Sequence, residues 1–135
     1  MRAEKVIRSL LTAASGVTTL VADRVYPSPL PAGTALPACV VEHVDTIELT
    51  TVDANSAYGL VRSRIQVSVL AKDYPTQKAL LDEVRKACNY QRGVVAGVRV
   101  VLVQRDTVGP DGYSADDDRT VYSQSIDFQV THQEP

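Results

Sequence analysis

Tryptophan is absent from the 135-residue sequence, phenylalanine occurs once, and aromatic residues together make up only 5%. The core must therefore be built mainly from valine, leucine, isoleucine and alanine, and the short valine-rich runs favour strands. No window approaches the roughly 18 apolar residues of a membrane span, and the N-terminal segment lacks the apolar run of a signal peptide. The sequence thus predicts a protein of an aqueous compartment, with no membrane partner.

Cysteine is scarce as well, and its two positions, Cys39 and Cys88, belong to no CxxC or Cys/His cluster. A zinc site is therefore not expected, and the pattern favours reduced, buried thiols. Neither sign of charge predominates, because 14 basic and 16 acidic residues give a formal net charge of −2. This balance offers no reason to expect nucleic acid as the main partner, but it permits a protein that surrounds DNA without gripping it.

Catalytic signatures are missing too, since no GxSxG, HExxH, Walker A or GxGxxG pattern occurs. Of the two histidines, His43 is expected at a strand edge or on the surface, and His132 in a frayed tail. Both cysteines are interpreted as core residues. We therefore predict a protein that is not an enzyme, with no catalytic residue, no cofactor and no metal ligand.

What the sequence does contain is clear apolar periodicity, beginning with two helices. Residues 3–14 carry apolar side chains at helical spacing, with Gly16 as the expected stop. The second helix is expected to open at residues 73–76, where Pro75 suits the first turn, and to end before Gly93.

Four segments alternate in the manner of half-buried strands, namely residues 38–44, 60–71, 98–105 and 120–131. The element order is therefore helix, strand, strand, helix, strand, strand. Half-polar strands joined by hairpins indicate antiparallel pairing, and amphipathic helices need an apolar sheet face to cover. We predict one α+β domain over residues 1–135, with a mainly antiparallel four-stranded sheet, short extra strands, and two helices on one face.

Two polar loops are candidate partner contacts. The first is acidic and contains Asp111, Asp116, Asp117 and Asp118; its spacing lacks the order of a calcium loop, so a solvated hairpin tip is the favoured interpretation. The second, over residues 46–59, is long for a hairpin connection, and we expect it to contact a partner through Thr50, Asp53 and Asn55.

The outer face of the sheet is the candidate subunit interface, because apolar and arginine side chains are expected there together. An apolar group exposed on a monomer often marks a contact with another chain. The predicted interface residues are Arg64, Leu70, Arg99, Val101 and Val103.

Several segments also follow one another in a distinctive order. A short helix is followed by Asp23-Arg24-Val25-Tyr26-Pro27, then by Leu30-Pro31-Ala32-Gly33 and Leu36-Pro37-Ala38-Cys39-Val40-Val41. The strand over residues 64–71 leads directly to Tyr74 and a helix, and the chain closes on a strand over residues 122–130. In this order the chain resembles the tail-completion proteins of long-tailed bacteriophages and prophages, which include the tail terminator of phage lambda.

The resemblance implies an α+β subunit that forms a ring, hexameric in related tails, at the head-proximal end of the tail tube. Such a ring ends tube polymerisation and offers a surface for head–tail joining, while DNA passes through its lumen without specific binding. Its partners are further copies of itself, the tail tube protein and the head connector. It resides in the virion, and in the host cytoplasm during assembly, where the free protein can be a monomer.

Two other interpretations remain open at this point. Another neck or head-closure connector shares the structural class and differs in its partner. A small ligand-binding module or enzyme on a similar scaffold would need a concave pocket with convergent polar groups.

Overall fold

The computed structural model describes residues 2–49, 59–115 and 120–134. Of residue 134 it describes only the backbone. Three α-helices lie in these ranges: α1 (Arg2–Ala13), α2 (Ser15–Val21) and α3 (Tyr74–Ala87). The strands, in chain order, are β1 (Val25–Pro27), β2 (Ala38–Leu49), β3 (Gly59–Ala71), β4 (Gly93–Val95), β5 (Val98–Val108), β6 (Gly112–Ala115) and β7 (Thr120–Glu134).

The strands form one seven-stranded sheet in the order β1-β2-β3-β7-β5-β4, with β6 paired to β7 outside this path. The short β1 lies parallel to β2, whereas every other pairing is antiparallel. The sheet is therefore mixed, and it curls into a half-barrel. The predicted four-stranded sheet with two helices in the order α-β-β-α-β-β is wrong, because β1, β4, β6 and α2 complete the architecture.

The inward side chains of the central strands form one core with all three helices. Val6 and Ile7 of α1, Val17 of α2 and Leu80 of α3 are fully buried against Phe128 of β7 and its neighbours. Helical spacing places the apolar residues of α1 on one face, so this face packs on the sheet while the opposite face meets water.

The prediction that the first helix stops at Gly16 is wrong, because α1 ends at Ala13 and Gly16 lies within α2. The break comes instead at Ala14, whose backbone is extended, with φ −86° and ψ 119°, and α2 begins at the next residue. A Cβ at Gly16 would collide with the carboxylate of Glu83 on α3. A side chain at position 16 would therefore require the Glu83 side chain to move.

The start of α3 agrees with the prediction. Asp73 is the N-cap, and its Oδ1 accepts a hydrogen bond of 2.8 Å from the backbone N–H of Thr76. Pro75 occupies the first turn, where its missing N–H costs no helical hydrogen bond. Hydrogen bonding to Thr76, first through its side chain and then through its backbone N–H, holds the pKa of the Asp73 carboxyl below its usual value.

A β-bulge in β5 reverses the expected alternation of its side chains. The register with β7 shifts between Val100 and Leu102, so Val103 lies opposite Val130 and is fully buried. The prediction that Val103 lies on the outer face is therefore wrong. Arg105, opposite Phe128, is also placed on the inner side of the sheet rather than the outer side.

The C-terminal strand is longer than predicted. His132 was expected in a frayed tail, but it is fully buried and is paired with Val61 of β3 and Val100 of β5. Strand pairing on both sides thus fixes the end of β7. None of the helices in the described part of the chain is both long and apolar enough to span a membrane.

Candidate functional site

The predicted interface residues do not form one patch. Arg99 and Val101 are exposed on β5, and Leu70 is half-buried at the end of β3. Val103, as described above, belongs to the core. The structure brings only Arg99 and Val101 together, near the β4 side of the sheet.

Arg64, the remaining predicted interface residue, is occupied within its own chain. Its Nη1 forms an ion pair with Asp106 of β5 and another, at 3.1 Å, with Asp127 of β7. Gln129 also donates a 3.0 Å hydrogen bond to Asp106. This bond, supported by Thr107 and the Arg64 guanidinium, holds the pKa of the Asp106 carboxyl below its usual value. The cluster ties three neighbouring strands together on the outer face.

Of the two predicted contact loops, the structure describes only part. Asp111 is exposed, and its carboxylate accepts a 2.5 Å hydrogen bond from Lys78 Nζ of α3, which raises the pKa of that lysine. The acidic loop is thus attached to α3 at its first carboxylate. The other predicted contacts lie outside the described residues: Thr50, Asp53, Asn55, Asp116, Asp117 and Asp118.

A chain of polar side chains crosses the inner side of the sheet. His43 Nε2 lies 2.7 Å from Thr46 Oγ1, which lies 3.0 Å from Ser63 Oγ, and this hydroxyl lies 3.2 Å from His132 Nε2. The Ser63 and His132 side chains are fully buried. Thr46, Ser63 and His132 thus connect β2, β3 and β7 through side-chain hydrogen bonds.

A groove of about 670 Å³ lies between α1, the end of β1 and β2. It is lined by Glu4, Lys5, Arg8, Pro27, Ser28, Val41, Glu42 and His43. Its charges are of both signs, and nowhere in the described ranges do three histidine, cysteine or carboxylate side chains gather as metal ligands would. The groove thus places charged side chains of α1 opposite Glu42 and His43 of β2.

The two cysteines are free and buried, as predicted. Burial raises the pKa of the Cys39 thiol to about 12. The pKa of the Cys88 thiol is raised further, mainly by burial and in second place by the charge of the nearby Cys39 thiolate. Thiols with so little thiolate at neutral pH are poor nucleophiles. Both side chains therefore act in packing.

Two sheet edges that carry exposed apolar side chains were not predicted from the sequence. The first, called the acidic edge, comprises residues 42–49 of β2, where Val44 and Ile47 are 47% and 54% exposed. The second, called the basic edge, comprises residues 90–101 around β4 and the start of β5, where Tyr90, Val94 and Val101 are 64%, 71% and 52% exposed. The signal was the charge of each segment, which is of one sign throughout.

Comparison with known proteins connects this fold to phage particles. The family model described as "Tail completion protein gp17" matches residues 5–132, which is nearly the whole chain. Among solved structures, the chain is similar to a protein of the "Virion of native gene transfer agent (GTA) particle". That likeness has a TM-score of 0.66 at 16% identity and covers 97% of this chain and 94% of the other, so it supports the fold. No curated protein sequence matches the chain.

The match over residues 5–132 confirms the resemblance drawn from the order of the sequence motifs. The hydrogen-bonded row of polar side chains lies largely inside the protein, whereas both sheet edges expose apolar side chains. This arrangement also suits a subunit that works by contact. The chain belongs to the bacteriophage tail-completion family and is a structural protein of the virion.

Proposed function

We propose that this protein caps the head-proximal end of the tail tube, ends tube polymerisation and provides the surface for head–tail joining. The observation that carries the proposal is the family match over residues 5–132. A protein with these tasks acts at the junction of head and tail, and it is present in the host cytoplasm while the particle assembles. Its partners there are the tail tube protein and the head connector.

The proposed working form is a ring of copies of this chain, six by the resemblance, that closes around a lumen. A closed ring of identical subunits requires two different patches on each subunit, one for each neighbour. Two open sheet edges of opposite charge support such an arrangement. The free protein is proposed to be a monomer or a ring, with the tube end favouring the ring by mass action.

DNA is proposed to pass through the lumen without being held. Cations that touch phosphates create binding that depends on salt, so a conduit favours negative or neutral side chains. The acidic loop with Asp111, Asp116, Asp117 and Asp118 is the proposed lining of the lumen or of one end face. Changing the last three of these to asparagine should leave folding intact, which thermal unfolding measures, because charges in a solvated loop, as the sequence predicts this one to be, contribute little to stability.

Binding to purified tail tubes and to DNA-filled heads, viewed by electron microscopy, tests the location. A terminator labels one end of each tube and leaves isolated heads unlabelled. Labelling of heads alone would identify a head-closure subunit instead, and the proposed capping would be wrong.

Elongation of tubes tests the capping step itself. Tube protein is added to preformed tubes with and without this chain, and tube lengths are measured. We expect tubes bound by this chain to stop growing at the labelled end. Tubes that continue to lengthen from a labelled end would contradict the proposal, whereas tubes with no label would show that this chain is not their partner.

A further inference from the structure

The acidic edge is a strand border with an open side along most of its length. β1 pairs only with residues 39–41 of β2, so from residue 42 onward the one described strand beside β2 is β3. The edge carries Glu42, Asp45 and Glu48 and contains no lysine or arginine. Its backbone N–H and C=O groups on the open side are available to another strand.

On β3, Arg64 is opposite Asp45 and Arg62 is opposite Ile47. Lys5 and Arg8 of α1 line the groove that also contains Glu42, at the start of the acidic edge. Arg64 already forms ion pairs with Asp106 and Asp127, so it does little to neutralise Asp45. Asp45 and Glu48, the two carboxylates of the edge that do not line this groove, therefore outweigh Arg62. An approaching surface of positive charge is favoured here, and one of negative charge is disfavoured.

The basic edge lies at the other end of the sheet order. It carries Arg92 and Arg99, both exposed, and contains no aspartate or glutamate. Val94 and Arg99 are directly opposite each other in the β4–β5 pair, so their side chains share the outer face. Arg2 of α1 lies beside Arg99 in a small surface pocket and adds a third cation.

Exposed apolar groups concentrate on these two edges. The structure describes eight large hydrophobic side chains that are exposed, and five of them belong to the edges: Val44, Ile47, Tyr90, Val94 and Val101. Apolar side chains ringed by charges of one sign are typical of an interface that excludes water at its centre and selects its partner at its rim.

We propose that the acidic edge of one copy of this chain docks against the basic edge of the next copy, so that sheets join edge to edge around the ring. The pairing is head-to-tail, because the edges differ and lie at opposite ends of the sheet order. A contact between like edges would bring together three carboxylates or two arginines on each side, so the charges oppose a symmetric dimer. This inference rests on the ring of the proposed function, for which it names the contact.

Charge reversal with mutual rescue tests the pairing. In the variant D45K/E48K both edges are positive, and in R92E/R99E both are negative. Each alone should lose self-association in analytical ultracentrifugation over a range of concentrations. An equimolar mixture of the two should regain it, because every contact then joins opposite charges. The chain that combines all four substitutions should also associate.

The control variant is D23K/D82K, which makes the same change in net charge as D45K/E48K at two exposed positions outside both edges. It should associate as the unaltered chain does, and thermal unfolding should show that all variants fold. Rescue by mixing supports the proposal, since loss of folding cannot be repaired by a second defective chain. Two reversed variants that remain monomeric when mixed, while the unaltered chain associates, would overturn it.

Disulfide trapping tests which residues meet. We expect V44C and V94C, made in separate chains and mixed under mild oxidation, to form mainly the mixed dimer, and the V44C/V94C chain to form a ladder of oligomers. Native Cys39 and Cys88 are buried and should not contribute. If V44C links to itself as readily as to V94C, or if only monomers form at high protein concentration, the head-to-tail pairing is wrong.

Tail tubes distinguish this inference from the proposed function. If the V44C/V94C chain forms the ladder and the reversed variants rescue each other, but the unaltered chain does not label tube ends, the edge pairing stands and the capping function fails. If unaltered chain labels tube ends but both reversed variants label them equally well and give no rescue pattern, the capping stands and the edge pairing fails. If reversal abolishes tube labelling without affecting self-association, the edges bind tube protein, and the inference is overturned.

Discussion

Ser63 is a polar residue on the otherwise apolar inner face of β3, and its hydroxyl connects Thr46 of β2 to His132 of β7. Inspection of the sequence identifies Ser63 as the exception in an alternating pattern, but it gives no partner. The two partners lie 17 and 69 residues away along the chain, so only the register of the sheet brings them together.

Replacement of Ser63 by alanine should lower the free energy of unfolding by about 1–2 kcal/mol, because it removes the central hydroxyl of a buried hydrogen-bonded chain. Urea denaturation measures this change. The matched control is Ser68→Ala, half-buried on the outer face of the same strand, which should change stability by less than about 0.5 kcal/mol. Equal effects at the two positions would show that the buried chain contributes nothing specific.

Asp106 gives a dependence of stability on pH. Its pKa is lower in the folded chain than in the unfolded chain, first because of the hydrogen bond from Gln129. The unfolded state therefore binds more protons in the acid range, so the stabilisation is complete above about pH 5 and is lost as pH falls through the folded pKa. Asp106→Asn should be less stable than the unaltered chain at neutral pH, with a difference that shrinks on acidification.

Urea denaturation of both proteins from neutral pH down to about pH 3 measures this difference. If the difference in the free energy of unfolding between the two proteins stays constant over that range, the Asp106 charge does not contribute to stability. The control is Asp82→Asn on the exposed face of α3, for which no such pH-dependent gap is expected.

At the scale of the element, long segments with strong periodicity were predicted correctly, whereas the short strands were expected only as unspecified extra strands. α1, α3, β3 and β7 all contain enough residues for their apolar period to be visible. β1 and β4 have three residues each, which is too short for any period. β6 falls in a segment rich in glycine that predicts a loop, and it becomes a strand through its pairing with β7.

The start of α3 provides a test at this scale. Asp73→Ala should lower the melting temperature by about 2–5 °C, because it removes the acceptor for the Thr76 N–H at the helix start. Asp73→Asn retains an acceptor oxygen and is expected to retain most of the stability. Thermal unfolding followed by circular dichroism compares the two, and a loss of equal size in both would assign the effect to charge rather than to capping.

At the scale of the whole molecule, the two edges make assembly an electrostatic as well as an apolar process. Raising the salt concentration from about 0.05 M to about 0.5 M shortens the range over which charges act, so self-association through the acidic and basic edges should weaken. Sedimentation velocity at several salt concentrations measures the change. The chain that combines D45K/E48K with R92E/R99E has the charges of its two edges exchanged, and its association should weaken with salt in the same way.

Association that strengthens steadily with salt would indicate a contact governed by apolar burial alone. In that case Val44, Ile47 and Val94 would be the dominant contacts, and the carboxylates and arginines would contribute little to the pairing.

Local residue order was sufficient to predict two of the three helices, the four long strands, the buried thiols and the family. Helical and strand periods, helix caps and the order of motifs are all recorded in neighbouring residues, so a single sequence displays them. The number of strands, the mixed sheet and the correct side for Val103 came only from the folded chain. Strand pairing, β-bulges and open edges depend on residues far apart in sequence, and one bulge in β5 is enough to turn a side chain from the surface to the core.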